Sequence, residues 1–155
     1  MSEFVTILVA TMSGTTEMVA DEVAGRIEDA GGSARILRME KASPVTFTGA
    51  AGPVLICSST YGTGEVPDNG QALYAALEAE RPDLAGLRYG VIALGDSIYP
   101  QTFCFGGKRF DALLASLGAC RVGERFECDS RSGIYPEEAA AEWAERWLQE
   151  LGVHA

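Results

Sequence analysis

The chain turns from an apolar run to a helical pattern at Thr11-Met12-Ser13-Gly14-Thr15-Thr16, and this turn decides the fold. The run before it, Phe4 to Ala10, predicts a buried strand, and the pattern after it, Glu17 to Ala30, predicts a helix. Backbone N–H groups at a helix start are unpaired and lie at the positive end of the helix dipole, so such a turn holds a phosphate without a basic side chain. Its hydroxyl-rich composition fits an ordinary N-capped turn equally well.

Alternating apolar runs and helical patterns extend over the rest of the chain. The strands are predicted at 4–10, 34–39, 53–58, 89–94 and 120–128, with helices between and after them except over 41–52, a connection to which no helix is assigned. Asp68 is predicted to cap the helix that follows the third strand, and Pro136 to begin the last helix. Five strand–helix units in this order predict a doubly wound parallel α/β sheet with right-handed crossovers.

The distribution of charge sets the strand order. The first, third and fourth strands are apolar on both faces and are therefore central, whereas the second and fifth carry charges and are edges. The order 2-1-3-4-5 satisfies this, and its switch point between strands one and three places a ligand at the carboxyl ends of the strands.

Length and charge limit the function classes. We expect the 155 residues, 1–155, to form a single domain. The net charge of -10 argues against binding nucleic acid or a membrane surface and fits docking to basic partners. The N-terminus lacks the basic start of a signal peptide and no run is long enough to span a membrane, so we expect a cytoplasmic protein.

Cysteine and histidine usage predicts no metal site. The chain has four cysteines without a C-x-x-C pair, and its only histidine is His154. We expect Cys57, Cys120 and Cys128 to be buried as small apolar side chains.

Three loops converge at the predicted ligand edge, 11–16, 59–70 and 95–102. The second and third contribute one tyrosine each, Tyr61 and Tyr99. Two aromatic rings that face each other across a cleft enclose a flat ring system. A planar heterocycle carrying one phosphate is the ligand that this arrangement suits.

These motifs resemble the flavodoxin family over nearly the whole chain. The resemblance is carried by the 11–16 turn, the loop Ser59-Thr60-Tyr61-Gly62-Thr63-Gly64 and the stretch Ala93 to Tyr99, and it is strongest with short flavodoxins of the MioC-like type and the FMN domains of diflavin reductases such as sulfite reductase. It implies a flavodoxin-like fold with non-covalent FMN, the phosphate at Thr11–Thr16 and the isoalloxazine between Tyr61 and Tyr99.

The FMN-binding residues that the resemblance implies come from the three loops and the end of the fifth strand. They are Thr11, Met12, Ser13, Gly14, Thr15, Thr16, Ser59, Thr60, Tyr61, Gly62, Thr63, Gly64, Leu94, Gly95, Asp96, Tyr99, Phe103, Cys104 and Asp129. One departure affects the stacking of Tyr99: three residues separate it from Phe103, where related loops usually have two.

The resemblance implies a monomeric one-electron carrier with no catalytic residue and no metal. Its partners would be an NAD(P)H-dependent flavodoxin or ferredoxin reductase and an electron-accepting enzyme, docked through the acidic surface. Because no reductase domain follows Ala155, we expect that the chain is not itself a diflavin enzyme. Two alternatives stay open: an FMN-dependent NAD(P)H:quinone oxidoreductase and a non-redox docking module without FMN.

Overall fold

The computed structural model describes residues 4–11, 14–60, 66–95, 104–129, 133 and 135–153. Six strands and five α-helices alternate along these residues, with a short 3-10 turn at Met39–Lys41. In chain order they are β1 Phe4–Ala10, α1 Gly14–Asp29, β2 Ser33–Arg38, α2 Pro44–Thr48, β3 Val54–Ser58, α3 Asp68–Glu80, β4 Arg88–Gly95, α4 Phe105–Ser116, β5 Cys120–Arg121, β6 Phe126–Asp129 and α5 Pro136–Val153.

The sheet is parallel in the order β2-β1-β3-β4-β5, and β6 also pairs with β4. The predicted order and fold class are therefore confirmed. All five residues of β3 are buried, whereas every residue of β2 is exposed or half-buried, as expected for a central and an edge strand.

Helices cover both faces of the sheet. One core contains α1 and α5 against β1, β3 and β4, and includes Trp143 and Trp147. The other core contains α3 and α4, with Phe47 of α2. Helix α1, which follows β1, lies on one face of the sheet, and α3, which follows β3, lies on the other. The switch point of this doubly wound sheet is therefore between the neighbouring strands β1 and β3.

The predicted single strand over 120–128 is wrong, because residues 122–125 interrupt it. Gly123 has φ +71°, a left-handed conformation that a strand does not adopt, and the Trp143 indole N–H donates to the Glu124 carbonyl at 3.1 Å. The expected burial of Cys120 is wrong as well, since the two residues of β5 are both exposed at the sheet edge. Cys57 and Cys128 are buried as expected.

Two helix starts differ from the prediction. Asp68 does not cap α3 but is its first residue; Pro67 holds the cap position, and no side-chain hydrogen bond caps this helix. Helix α1 begins at Gly14 rather than at Glu17, so that Thr15 and Thr16 belong to its first turn. No helix among the described residues is both long enough and apolar enough to cross a membrane.

Candidate functional site

The carboxyl ends of the central strands meet at one edge. Ala10 and Ser58 are neighbours in register, as are Ser58 and Ala93, so the chain leaves β1, β3 and β4 side by side. At the far side of β4, Gly95 pairs with the half-buried Asp129 of β6. The edge thus brings together the described parts of the three predicted loops and the acidic residue that follows the fifth strand.

The first turn of α1 has features of a candidate anion site. Thr15 is exposed and Thr16 is fully buried. The Thr16 hydroxyl oxygen has no hydrogen-bond partner among the described residues, which is rare for a buried polar atom. A buried hydroxyl of this kind beside a helix start, whose first N–H groups have no partner within the helix, fits the phosphate of FMN.

Asn69 of α3 is a site residue that the sequence reasoning missed. Its side-chain oxygen accepts the Thr11 backbone N–H at 2.8 Å, and its nitrogen donates to the Val9 carbonyl at 3.0 Å. The Thr11 N–H is therefore engaged within the protein. The sequence signal was the amide itself, which carries a donor and an acceptor and lies within the predicted ligand loop 59–70.

Thr60 connects the ends of three elements. Its hydroxyl donates to the Leu94 carbonyl at 3.0 Å and accepts the Gly106 N–H at 2.9 Å. Ser59 is joined to β1, since its backbone N–H donates to the Ala10 carbonyl at 3.0 Å. The Thr60 hydroxyl thus makes two hydrogen bonds within the protein, and these hold the end of β4 and the start of α4 to the loop after β3.

Close backbone packing fixes the start of α4 against the strand ends. A Cβ on Gly106 would lie 2.1 Å from the Ser59 carbonyl oxygen, and one on Gly95 would lie 2.6 Å from the Cys104 nitrogen. Cys104 itself has φ +58°, a conformation that is uncommon for a residue with a side chain. Glycines are needed at both contact positions because the backbones approach within the space of a methyl group.

Cys104 is buried and its thiol donates to the Ala93 carbonyl at 3.4 Å. Burial raises the pKa of this thiol to about 12, and the nearby Glu127 carboxylate acts in the same direction. A thiol with so high a pKa is not an activated nucleophile, although Cys104 holds the N-cap position of α4. The burial of Cys104 fits a packing role at the strand ends, and its predicted contact with FMN stays a prediction.

Nine of the predicted site residues lie outside the described residues. They are Met12, Ser13, Tyr61, Gly62, Thr63, Gly64, Asp96, Tyr99 and Phe103. The tyrosine pair around the flavin and the effect of the third residue after Tyr99 therefore remain predictions. Within the described ranges, no group of three or more metal-ligating side chains comes together.

A sequence model of the family Flavodoxin matches residues 7–143. The chain belongs to the flavodoxin family. Among its curated relatives, protein MioC of Escherichia coli is 33% identical over 147 residues, covering 95% of this chain and 97% of that protein. The sulfite reductase (NADPH) flavoprotein alpha-component of Bacillus subtilis is 36% identical over 151 residues, 97% of this chain and 24% of the relative.

The fold agrees with solved flavodoxin structures. A single-site mutant of flavodoxin from Pseudomonas aeruginosa superposes with a TM-score of 0.85 at 35% identity, over 96% of this chain and 99% of that chain. The predicted resemblance, the FMN cofactor and electron transfer as the function are confirmed by this family membership. The comparisons give no support to the quinone reductase or to the docking module.

Proposed function

We propose that this flavodoxin domain, spanning 1–155, carries electrons one at a time from an NAD(P)H-dependent flavodoxin or ferredoxin reductase to an electron-accepting enzyme. The observation that carries the proposal is the anion site at the start of α1, where the buried Thr16 hydroxyl has no partner among the described residues. It lies at the same sheet edge as Gly95 and Asp129. A phosphate anchor at this edge suits a flavin whose ring lies over the strand ends.

The protein's part in the reaction is to bind and orient FMN. We infer that the 11–16 turn holds the phosphate through backbone N–H groups and the hydroxyls of its Thr and Ser residues, and that Tyr61 and Tyr99 enclose the ring. FMN, when bound, supplies the one-electron chemistry, and its protein surroundings set the potential. Asp129 at the end of β6 is half-buried, so its charge acts on the ring more strongly than a solvated one would.

The docking surface in this proposal is the acidic rim around the strand ends. Helices that follow parallel strands begin at the carboxyl edge of the sheet, and the first turns of α1, α3 and α5 all carry acidic residues. They are Asp68, Glu137 and Glu138, together with Glu17, whose charge is offset by its ion pair with Arg38. A concentration of negative charge at the edge where FMN binds steers a basic partner to the cofactor.

Anaerobic reduction of the purified holoprotein tests the proposal. NADPH alone should reduce the flavin slowly, a catalytic amount of a ferredoxin–NADP reductase should accelerate reduction strongly, and added salt should slow it because exposed charges are screened. Rapid reduction by NADPH alone, followed by turnover of a quinone, would establish the quinone reductase instead. A colourless protein that takes up no added FMN would establish the docking module.

A matched pair of charge variants tests the rim. Asp68→Asn with Glu138→Gln removes two charges at the rim, whereas Glu80→Gln with Glu150→Gln removes two at the other ends of the same helices. All four side chains are exposed. Only the rim pair should slow reduction by the reductase and weaken its salt dependence. The proposal includes a monomer in the cytoplasm, and sedimentation of the holoprotein checks the first of these.

A further inference from the structure

The side-chain amide of Asn69 occupies the end of β1 in the way that a neighbouring strand would. It accepts the Thr11 N–H at 2.8 Å and donates to the Val9 carbonyl at 3.0 Å. The Val9 carbonyl belongs to the last residues of β1, and the Thr11 N–H is the first backbone donor of the 11–16 turn. The direction in which the chain enters the turn is therefore set by a residue of α3, 58 positions away from Thr11.

The same amide begins a bridge to the other end of the turn. The Asn69 nitrogen donates to a Glu40 carboxylate oxygen at 3.2 Å, and that oxygen also accepts Arg38 Nε at 3.1 Å. Arg38 Nη1 is ion-paired with Glu17 in the first turn of α1. The pKa of Glu40 lies below its usual value, with the Asn69 hydrogen bond as the first cause. Thr11 and Glu17 are thus joined both by the chain and by this bridge.

Gly70 allows Asn69 to come so close to β1. A Cβ on Gly70 would lie 2.9 Å from a Val66 methyl group, 3.0 Å from the Ala10 Cβ and 3.0 Å from the Met39 sulfur. A side chain at position 70 would therefore push the start of α3 away from the end of β1. Asn69 thus supplies the hydrogen-bonding amide, and Gly70 allows the close approach to β1 that these hydrogen bonds need.

We propose that Asn69 is a positioning residue for the FMN phosphate, acting through the 11–16 turn. The proposal rests on the phosphate placement argued under Proposed function. Phosphate is held at a helix start by several backbone N–H groups at once, so its affinity depends on their mutual orientation. A turn that is fixed before FMN arrives loses less conformational entropy on binding than a free one.

The two parts of the bridge contribute differently. The Arg38, Glu17 and Glu40 side chains are 41%, 44% and 45% exposed, so their ion pairs are screened by salt and contribute little each. The Asn69 hydrogen bonds to Val9 and Thr11 are partly buried and act on the backbone itself. Arg38 also offsets the Glu17 carboxylate, which would otherwise repel a phosphate at the start of α1.

The test compares the binding of FMN and riboflavin, which lacks the phosphate, to apoprotein variants by flavin fluorescence. Asn69→Ala should raise the dissociation constant for FMN about tenfold and leave that for riboflavin nearly unchanged. Asn69→Leu keeps most of the volume but has no polar atom, and should behave like Asn69→Ala. Arg38→Gln should produce a smaller loss of FMN affinity that disappears at high salt.

The control variant is Tyr89→Phe, which removes a buried hydrogen bond at the start of β4, at the opposite edge of the sheet. It should lower stability without changing the ratio of the two affinities. The proposal is overturned if Asn69→Ala leaves this ratio unchanged, or if Asn69→Leu restores it, since packing alone would then explain the residue. If neither Asn69→Ala nor Thr15→Asp changes the ratio of the FMN and riboflavin affinities, the phosphate placement itself is wrong. If Thr15→Asp changes the ratio and Asn69→Ala does not, the phosphate placement stands and only the positioning role of Asn69 is refuted.

Discussion

The Thr60 hydroxyl donates to the Leu94 carbonyl at 3.0 Å and so joins the end of β3 to the end of β4. The same oxygen accepts the Gly106 N–H from the first turn of α4 at 2.9 Å. One side chain therefore sets the spacing of the strand ends from which the 59–70 and 95–102 loops continue. In the proposed site both loops contribute to the flavin ring pocket, so this spacing affects the binding of the ring rather than the binding of the phosphate.

Thr60→Val should weaken FMN and riboflavin by the same factor, because both ligands carry the ring. Replacing the hydroxyl by a methyl group leaves the Gly106 N–H and the Leu94 carbonyl without their partner, which costs about 1–3 kcal/mol of stability. Thr60→Ser keeps the hydroxyl and should retain most of both affinities. Fluorescence titration with the two flavins gives the answer, and a selective loss of FMN would refute the assignment.

Thr15→Asp should weaken FMN strongly and riboflavin much less. Thr15 is exposed in the first turn of α1, where a carboxylate is favourable for the helix dipole, so the substitution does not disturb the helix. It does place a negative charge beside the proposed phosphate site, in a turn that has no basic residue. Isothermal titration with each flavin measures the two losses, and equal losses would contradict the phosphate placement.

The fold was predictable from the sequence because the central strands are apolar on both faces and the edges are charged. That pattern gave the strand order, whereas the break of the fifth strand was hidden by an alternation that continues across Gly123. The break depends on a tertiary contact, the hydrogen bond from Trp143 to Glu124, 19 residues apart. An alternating apolar–polar pattern indicates which side chains face the core, but it does not indicate where a strand stops pairing with its neighbour.

The sequence predicted the loops of the candidate site but missed part of the protein frame that supports them. Loops that bind a ligand have recognisable motifs, and the 11–16 turn has such a motif; its contact with FMN stays a prediction. Asn69 looks like an ordinary residue in the first turn of a helix, and its partners Val9 and Glu40 lie 60 and 29 residues away. Only the folded sheet shows that its amide completes the end of β1.

Tyr61→Ala and Tyr99→Ala should each shift the absorption of bound flavin and raise the dissociation constants for FMN and riboflavin alike. Stacking contributes about 0.5–1.5 kcal/mol beyond the burial of area. Because three residues follow Tyr99 before Phe103, we expect Tyr61 to matter at least as much as Tyr99. Spectra of the holoproteins decide the point, and an unchanged spectrum in both variants would exclude the stacked arrangement.

Asp111→Asn should destabilise the protein by about 2–3 kcal/mol, because it leaves two arginines without their buried counter-ion. The Asp111 carboxylate pairs with Arg121 of β5 and with Arg125, each at 2.5 Å, and accepts the Tyr89 hydroxyl at 2.6 Å. It thus holds β5 and the residue just before β6 to α4. We place the loss below that of a fully buried pair because the arginines are 37% and 25% exposed.

Urea unfolding of Asp111→Asn measures this loss against Glu142→Gln, a control that removes an exposed charge from α5. The control should change the free energy of unfolding by no more than about 0.5 kcal/mol. A similarly small change in Asp111→Asn would show that the interrupted strand is held by its β4 pairing alone.

Stability should fall as the pH rises above about 9, because of buried thiols. The Cys57 thiol is completely buried, which raises its pKa from 9.0 to about 12, and burial likewise raises the pKa of Cys104 to about 12. Between these values the unfolded chain loses its thiol protons while the folded chain keeps them. The free energy of unfolding is therefore undiminished below pH 9 and decreases above it, by up to about 1.4 kcal/mol per pH unit for each thiol.

Denaturant unfolding at pH 8, 9 and 10 should show a shallower decrease for Cys57→Ala than for the unmodified chain, whereas Cys120→Ala, at an exposed position, should follow the unmodified chain. If Cys57→Ala loses stability with pH as steeply as Cys120→Ala, the buried thiol is not the group that responds.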